Sequence, residues 1–221
     1  MSSFCLVFAV PDDAPALLNI YAPYVRTTAV SFECEPPTER EFAGRIASIG
    51  AFYPYLAARE GGRNGAIVGY AYASRAQERA AYRWNAELSV YLEQGRGGRG
   101  AGTALYRALL GLLALQNIRN VYGTVTLPNA ASLRLHEKFG FRPVGVFPHA
   151  GYKLGRWHDV LHLEKALGDP AEPPVPVRGI RELEPVAVAA ALYREAGLSG
   201  RTGFSFWKCP ISKTALPSFP L

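Results

Sequence analysis

A glycine-rich stretch between two apolar segments is the part of this sequence best suited to hold a ligand. Five glycines fall within residues 95–102, and Arg96 and Arg99 lie among them. Glycine has no Cβ, so the chain can adopt positive φ and a ligand can approach the backbone closely. The helix expected after the stretch begins with free N–H groups and a partial positive charge. The pattern predicts a strand–turn–helix unit that binds a phosphate or diphosphate.

Two other glycine motifs are excluded by their missing partners. Gly95-x-Gly97-x-x-Gly100 matches the dinucleotide pattern, which also needs an acidic residue roughly 20 positions later, and no Asp or Glu occurs between Gln94 and His136. A P-loop needs a lysine that the stretch lacks. Two alternatives stay open, namely a single RNA-binding Arg-Gly-Gly unit, which normally recurs in disordered segments, and a sharp turn that binds nothing.

Two titratable residues near this unit could carry out proton transfer. Glu87 lies on the strand that leads into the glycines, and His136 follows Ser132 by four residues, so both side chains share one helix face. From spacing alone, Glu87 is a solvated strand carboxylate and His136 a histidine with a surface hydrogen bond. His158 and His162 share a strand face beside Asp159, but no third well-placed ligand accompanies them, so no metal site is predicted.

The composition indicates a globular protein with one sizeable core. The chain has 221 residues, of which 49% are hydrophobic and 19% charged, and its formal net charge is +6. This charge fits a polyanionic ligand without identifying it. Three scattered cysteines predict a reducing cytoplasm. No apolar run is long enough for a membrane span, and the short apolar start is interpreted as a strand rather than a signal peptide.

The order of predicted elements is strand, two helices, a β meander, the glycine unit, and then strand, helix and two strands. Pro11-Asp12-Asp13 opens the first helix, and Thr38 with Glu41 forms a capping box for the second. The meander strands cover residues 55–59, 66–73 and 84–92. After the helix that follows the glycines come a strand at 121–126, a helix beginning at Pro128-Asn129, and strands at 141–147 and 153–165.

The character of the sequence changes after residue 167. Residues 1–167 form the predicted catalytic domain, 168–178 a proline-rich linker, and 179–221 an extension of unknown role. A helix is expected from Glu184 to Ala196. The remaining residues, from Gly197 onward, carry aromatic side chains without a regular pattern.

The motifs and their order resemble the GNAT superfamily of N-acetyltransferases and, within it, the phosphinothricin and methionine sulfoximine acetyltransferases. The resemblance covers residues 5–166. The segments that carry it are 20–25 (IYAPYV), 31–33 (SFE), 35–37 (EPP), 69–73 (GYAYA), 81–84 (AYRW), 87–91 (ELSVY), 100–102 (GAG), 127–129 (LPN), 135–141 (LHEKFGF), 151–153 (GYK) and 155–160 (GRWHDV).

This resemblance implies an α/β (α+β) GNAT fold, in which helices flank a mixed, mostly antiparallel sheet. It implies acetyl transfer from acetyl-CoA to the primary amine of a small amino acid or analogue, in a ternary complex and without a metal. Glu87 is then the general base, directly or through a water, and His136 takes part in proton transfer, as an acid or as a partner to Glu87. A homodimer is expected, with no nucleic acid or membrane partner.

The resemblance also implies contacts for both substrates. The expected acetyl-CoA contacts are Val90, Tyr91 and Leu92 along the pantetheine arm, Gly98, Arg99, Gly100, Ala101, Gly102 and Thr103 at the diphosphate, and Asn129 and Ser132 at the thiol end. A backbone N–H near Val90–Leu92 is the expected oxyanion donor. The expected acceptor contacts are Arg75 and Arg79, which could bind a carboxylate, and Phe32 and Tyr82, which could wall the pocket.

One position departs from the family pattern. The superfamily loop usually begins with Gln or Arg, and Gly97 occupies that place here, with Arg96 adjacent and able to compensate. The extension after Gly168 has no counterpart in this pattern. The competing class is a non-catalytic acyl-CoA-binding or RNA-binding module that uses the same basic loop.

Overall fold

The computed structural model describes residues 4–169 and 173–193, which form seven strands and five α-helices. The strands are β1 Phe4–Phe8, β2 Tyr55–Glu60, β3 Ala66–Arg75, β4 Asn85–Leu92, β5 Asn120–Thr126, β6 Arg142–Lys153 and β7 Arg156–Ala166. The helices are α1 Ala14–Thr27, α2 Glu39–Gly50, α3 Ala101–Leu115, α4 Ala130–Lys138 and α5 Pro185–Tyr193. None of the described helices is both long and apolar enough to span a bilayer.

The described strands form one sheet in the order β1-β2-β3-β4-β5-β7-β6. Only β4 and β5 are parallel, and the other neighbours are antiparallel. The predicted mixed, mostly antiparallel sheet flanked by helices is therefore confirmed. The β4–β5 pairing covers four positions and ends at Leu88 opposite Gly123. Beyond this point, the edge of β4 that faces β5 has no strand partner among the described residues.

Two apolar cores lie on the two faces of the sheet, because successive side chains of a strand point to opposite faces. On one face, Ala86 and Leu88 of β4 pack in the cluster that contains Leu105 and Leu109 of α3. On the other face, Tyr70 packs in the cluster formed by α1 and α2, and Tyr91 lies against that cluster. Glu87 and Ser89 alternate with Ala86 and Leu88, so their side chains point to the α1/α2 face.

Local sequence signals explain several boundaries. At the start of α2, the Thr38 hydroxyl accepts a hydrogen bond from Glu41 N at 3.2 Å, and Glu41 Oε2 accepts one from Thr38 N at 2.7 Å. The predicted capping box is therefore confirmed. The last two strands form a longer hairpin than predicted, since β6 runs on from Phe147 to Lys153. The pairing shifts register between Phe147 and Gly151, where Pro148 cannot donate to the ladder.

Residues 173–193 pack on the rest of the described structure. Ile180 and Leu183 are buried in the core beneath α3, and α5 lies against α3. Gln116, at the end of α3, donates from Nε2 to the carbonyl oxygens of Phe52 at 2.7 Å and Arg178 at 2.8 Å. The predicted helix from Glu184 is present as α5, and its predicted end lies outside the described residues, as does the aromatic stretch after it.

Candidate active site

A cavity of about 280 Å³ opens where β4 and β5 separate. It is lined by Val30, Ser31, Phe32, Glu87, Leu88, Ser89, Val90, Tyr91, Tyr106, Thr124, Val125, Thr126, Asn129, Ser132, His136 and Val160. The lining residues come from both sheet faces, so the cavity passes through the gap between the two strands. The structure thus brings together both predicted catalytic residues, Glu87 and His136.

Glu87 reaches the cavity from β4, opposite Ser74 of β3 and Tyr122 of β5. No ion pair holds its carboxylate among the described residues. Burial raises the pKa of Tyr106, and the negative charge of Glu87 raises it further. Glu87 and Tyr106 both line the cavity.

His136 is a buried histidine with both ring nitrogens occupied. Nδ1 lies 2.8 Å from the Ser132 carbonyl oxygen, which can only accept, so Nδ1 carries the proton. Burial lowers the pKa of His136, which favours the neutral ring. Nε2 is then the acceptor, and the Tyr106 hydroxyl donates a hydrogen bond to it at 2.8 Å. Ser132 Oγ lies 3.4 Å from His136 Nδ1, so the two side chains share one helix face, as predicted.

The sheet separates His136 from the side chain of Glu87. A Cβ built on Gly123 would lie 2.3 Å from His136 Nε2, so the imidazole packs directly on the Gly123 backbone. Gly123 pairs with Leu88 and Glu87 pairs with Tyr122. Alternation along the strands therefore places His136 on the α3 face and Glu87 on the α1/α2 face.

The glycine turn has the backbone geometry that its sequence predicts. Gly95, Gly98 and Gly100 have φ values of 79°, 77° and 98°, and Gly100 immediately precedes α3. A Cβ built on Gly98 would meet no atom within 4 Å, so the backbone here is open to an approaching ligand. The first amides of α3 follow directly, as an anion-binding helix start requires.

The two arginines of the turn differ in their partners. Arg96 forms ion pairs with Glu60 and with Glu93, the latter at 2.9 Å. Arg99 is exposed and has no ion pair within the described part of the chain. Arg96 is therefore already ion-paired with two carboxylates, and its compensation for the Gln or Arg that Gly97 replaces stays a prediction.

The other predicted cofactor contacts lie in the cavity or at the start of α3. Val90, Tyr91, Asn129 and Ser132 line the cavity, and the Asn129 side chain also caps α4 by accepting from Ser132 N at 3.1 Å. Leu92 packs beside α3, where its Cδ1 would lie 3.5 Å from a Cβ on Gly102. Thr103 accepts from Lys138 Nζ at 3.3 Å, which ties the start of α3 to α4.

Of the four predicted acceptor contacts, only Phe32 lines the cavity. Arg75 pairs in register with Ala86, so it points to the α3 face, away from Glu87, and its guanidinium lies 3.4 Å from Glu78 Oε2. Arg79 and Tyr82 lie at a short 3-10 turn between β3 and β4, outside the cavity lining. Antiparallel register, which the sequence did not specify, decides the direction of Arg75.

The sequence interpretation missed Tyr106, Ser31 and Thr124. Tyr106 could have been found from the sequence, because it is an aromatic residue with a hydroxyl group on the buried side of the apolar helix α3.

The His158–Asp159 motif, for which no metal was predicted, makes hydrogen bonds within the hairpin. His158 Nε2 donates to the Lys153 carbonyl at 3.0 Å, and Asp159 accepts from His149 N at 2.8 Å. Within residues 4–169 and 173–193, no group of three or more His, Cys, Asp or Glu side chains is placed to hold a metal ion.

Comparisons with known proteins find relatives of this chain by sequence. A family model described as an acetyltransferase (GNAT) domain matches residues 6–162. The phosphinothricin N-acetyltransferase of Streptomyces coelicolor is 38% identical over 159 residues, which are 72% of this chain and 93% of that protein. The L-methionine sulfoximine/L-methionine sulfone acetyltransferase of Pseudomonas aeruginosa is 31% identical over 153 residues, covering 69% of this chain and 88% of that protein.

A solved structure is similar in fold as well as in sequence. The GNAT superfamily phosphinothricin acetyltransferase of Sinorhizobium meliloti, crystallised with acetyl-CoA, superimposes with a TM-score of 0.74 at 33% identity. The match covers 83% of this chain and 96% of that one. This coverage exceeds the span of the family model, which ends at residue 162.

Proposed function

The chain belongs to the GNAT acetyltransferase family, and on that premise we propose that it acetylates the primary amine of a small amino acid or analogue of the phosphinothricin or methionine sulfoximine type. Acetyl-CoA is the co-substrate, as in the S. meliloti relative. The observation that carries the proposal is the single cavity that joins Glu87 to the His136–Tyr106 pair beside the glycine turn. Family membership favours an enzyme over a non-catalytic acyl-CoA-binding or RNA-binding module.

We propose that the turn and the start of α3 hold the diphosphate of acetyl-CoA. The residues concerned are Gly98, Arg99, Gly100, Ala101, Gly102 and Thr103. Positive φ at Gly98 and Gly100 and the open space beside Gly98 fit a ligand bound by main-chain amides. Arg99 adds a positive charge that has no ion pair among the described residues, whereas Arg96 is already held by two glutamates. When bound, acetyl-CoA supplies the activated acetyl group as a thioester.

We propose Glu87 as the general base. A primary ammonium is mostly protonated near neutral pH and must lose a proton before its nitrogen can attack. Glu87 lines the cavity and has no competing ion pair among the described residues, so its carboxylate is available to accept that proton, directly or through a water. Both substrates then occupy the cavity together, as direct attack in a ternary complex requires.

We propose that His136 transfers a proton through Tyr106. The Ser132 carbonyl fixes the proton on Nδ1, so Nε2 is free to accept the hydroxyl proton of Tyr106. The Tyr106 oxygen can then accept a proton from a group in the cavity while its own proton moves to Nε2. The reverse transfer returns a proton to the cavity, so the pair can store the proton that a leaving thiolate later needs.

The oxyanion donor is proposed to be a main-chain N–H of β4 beyond Leu88. Residues 89–92 pair with β3 on one edge and with no described strand on the other. Backbone groups on the free edge can point into the gap, where a low-dielectric, pre-positioned N–H stabilises developing negative charge. Val90 and Tyr91 line the cavity at this edge.

Phe32 is proposed to form a wall at the acceptor end of the cavity, while the roles of Arg79 and Tyr82 as acceptor contacts stay predictions.

The assembly and the cellular location of the protein are proposed on separate grounds. Homodimerisation is proposed to use β6, an edge strand on which Val144, Phe147 and Tyr152 are each about 60% exposed. A cytoplasmic location stays a prediction from the scattered cysteines.

Acetyl transfer can be followed as release of free thiol from acetyl-CoA, with phosphinothricin, methionine sulfoximine and common amino acids as acceptors. Glu87→Gln is expected to lower kcat by about 10²-fold or more and to change acetyl-CoA affinity less than about twofold. Glu164→Gln, on the same sheet face but ion-paired with Arg142, is the matched control and should retain activity. Failure of the wild-type protein to turn over any amine in the panel would contradict the proposal.

A further inference from the structure

Residues 30–33 (Val-Ser-Phe-Glu), here called the roof segment, cross the α1/α2 face of the sheet beside the catalytic cavity. Three of them, Val30, Ser31 and Phe32, line that cavity. Helices hold the segment on one side. The Tyr21 hydroxyl and Ser31 Oγ are 2.7 Å apart, and Arg45 forms an ion pair with Glu33 at 2.6 Å.

The opposite side of the roof segment is held by a buried lysine from β6. Lys153 Nζ donates to the Ser31 carbonyl oxygen at 2.6 Å, and the lysine is only 7% exposed. Burying an ammonium is costly unless it is hydrogen-bonded, so this contact is strongly favoured once the side chain is inside. Burial also lowers the pKa of Lys153.

The Phe32 ring fits into the same hairpin. A Cβ built on Gly151 would lie 2.3 Å from Phe32 Cε2, so the ring packs directly on the β6 backbone two residues before Lys153. The ring also lies beside His158 of β7, at 6.3 Å between centroids. Its position therefore depends on how closely the roof segment is held to β6.

The order of the strands shows why the hydrogen bond between Lys153 and Ser31 matters for the cavity. α1 packs on β3 and β4, whereas β6 lies at the far edge beyond β5 and β7. The roof segment consequently reaches from the helices across the β4–β5 gap to the last strand. Without the Lys153 hydrogen bond, the packing of the Phe32 ring would be the remaining described contact between the segment and β6, and the segment could move away from the cavity.

We propose that Lys153 is a positioning residue for acceptor specificity: it holds the Ser31 carbonyl and thereby sets the place of Phe32 at the acceptor end of the cavity. This inference rests on the proposed function, because it treats the Glu87 side of the cavity as the acceptor side. The glycine turn follows β4, which β5 and β7 separate from β6, so the effect concerns the amine and not acetyl-CoA.

The first test replaces the ammonium but keeps most of the aliphatic chain. Lys153→Met is expected to raise the KM for the amine by about tenfold, with KM for acetyl-CoA changed less than about twofold. Lys165→Met, a half-buried lysine on the neighbouring strand β7, is the matched control and should change neither value. An equal rise in both KM values, or none in the amine KM, would overturn the proposal.

A double-mutant cycle tests whether Lys153 acts through Phe32. Phe32→Ala alone should also raise the amine KM, and adding Lys153→Met to it should have less than about twofold further effect. If the fold-changes in the amine KM of the two single variants multiply in the double variant, Lys153 does not act through Phe32.

An exchange measurement separates this inference from the proposed reaction. Lys153→Met should accelerate amide hydrogen exchange at residues 28–35 and leave residues 98–105 unchanged, with thermal unfolding recorded for the same samples. Unchanged exchange at residues 28–35 would refute the positioning role even if acetyl transfer is observed. If no amine is acetylated, the proposed function fails, and the exchange result still decides whether Lys153 holds the segment.

Discussion

Glu87 and His136 lie on opposite faces of one sheet, yet both line the same cavity. The arrangement is possible because the parallel pairing of β4 and β5 stops at Leu88 and Gly123. In the proposed reaction, the acceptor amine approaches from the Glu87 side and the thioester from the α3 side, and both meet in the gap between the strands.

Tyr106 and His136 are predicted to act as one unit. Tyr106→Phe removes the hydroxyl and His136→Gln removes the titratable acceptor, and each is expected to lower kcat by about 10²-fold. The double variant should be no slower than the slower single one, because either change interrupts the same transfer. Steady-state kinetics at saturating acetyl-CoA measures this effect.

Tyr70→Phe is the matched control for that pair. Tyr70 is as deeply buried as Tyr106, at 1% exposure against 0%, but lies on the other sheet face and outside the cavity lining. It should keep wild-type kcat. If Tyr106→Phe retained full activity while His136→Gln lost it, the histidine would be acting on the substrate directly.

The buried histidine predicts how stability depends on pH. Burial lowers the pKa of His136 below its ordinary value of 6.5, so the unfolded chain binds this proton more readily than the folded one. The free energy of unfolding should therefore fall as the pH drops below about 6.5. Above this pH the histidine is neutral in both states, and the loss of stability is absent. Urea unfolding at about pH 7.5 and about pH 5.5 measures the loss, which should be smaller in His136→Gln; an equal loss in both proteins would contradict the assignment.

Two glycines of the turn are predicted to differ in their tolerance of a side chain. Gly100 has φ of 98°, whereas Gly97 has no positive φ and open space around its Cβ position. Gly100→Ala should cost about 1–2 kcal/mol of backbone strain and weaken acetyl-CoA binding by about tenfold. Gly97→Ala should change the affinity less than about twofold. Isothermal titration with acetyl-CoA compares them, and equal effects would show that backbone conformation is not the determinant.

The docked C-terminal segment is predicted to stabilise α3. Gln116→Ala removes two buried hydrogen bonds to the Phe52 and Arg178 carbonyls and should lower the free energy of unfolding by about 2 kcal/mol. The melting temperature should fall by about 4–8 °C, with little change in acetyl-CoA affinity. Calorimetry measures this change, and the exposed Gln77→Ala serves as the control. An unchanged melting temperature would mean that these two hydrogen bonds add no stability.

Local patterns were sufficient for much of the fold. Hydrophobic periodicity, the Thr38–Glu41 capping box and the glycine turn predicted most elements close to their observed bounds. The motifs also predicted the family, as well as the meeting of Glu87, His136, Asn129 and Ser132 at one site. These signals are short-range, since each depends on side-chain spacing or on backbone conformation within a few residues.

The sequence by itself thus determined the GNAT family, the acetyl-transfer class and the residues at the glycine turn. Only the tertiary structure decided that Arg75 points away from Glu87, that Arg96 is held by Glu60, and that Lys153 reaches the roof segment. The physical reason is that strand register and packing between distant elements set these directions. A one-residue change of register would send each strand side chain to the other face without altering any local pattern.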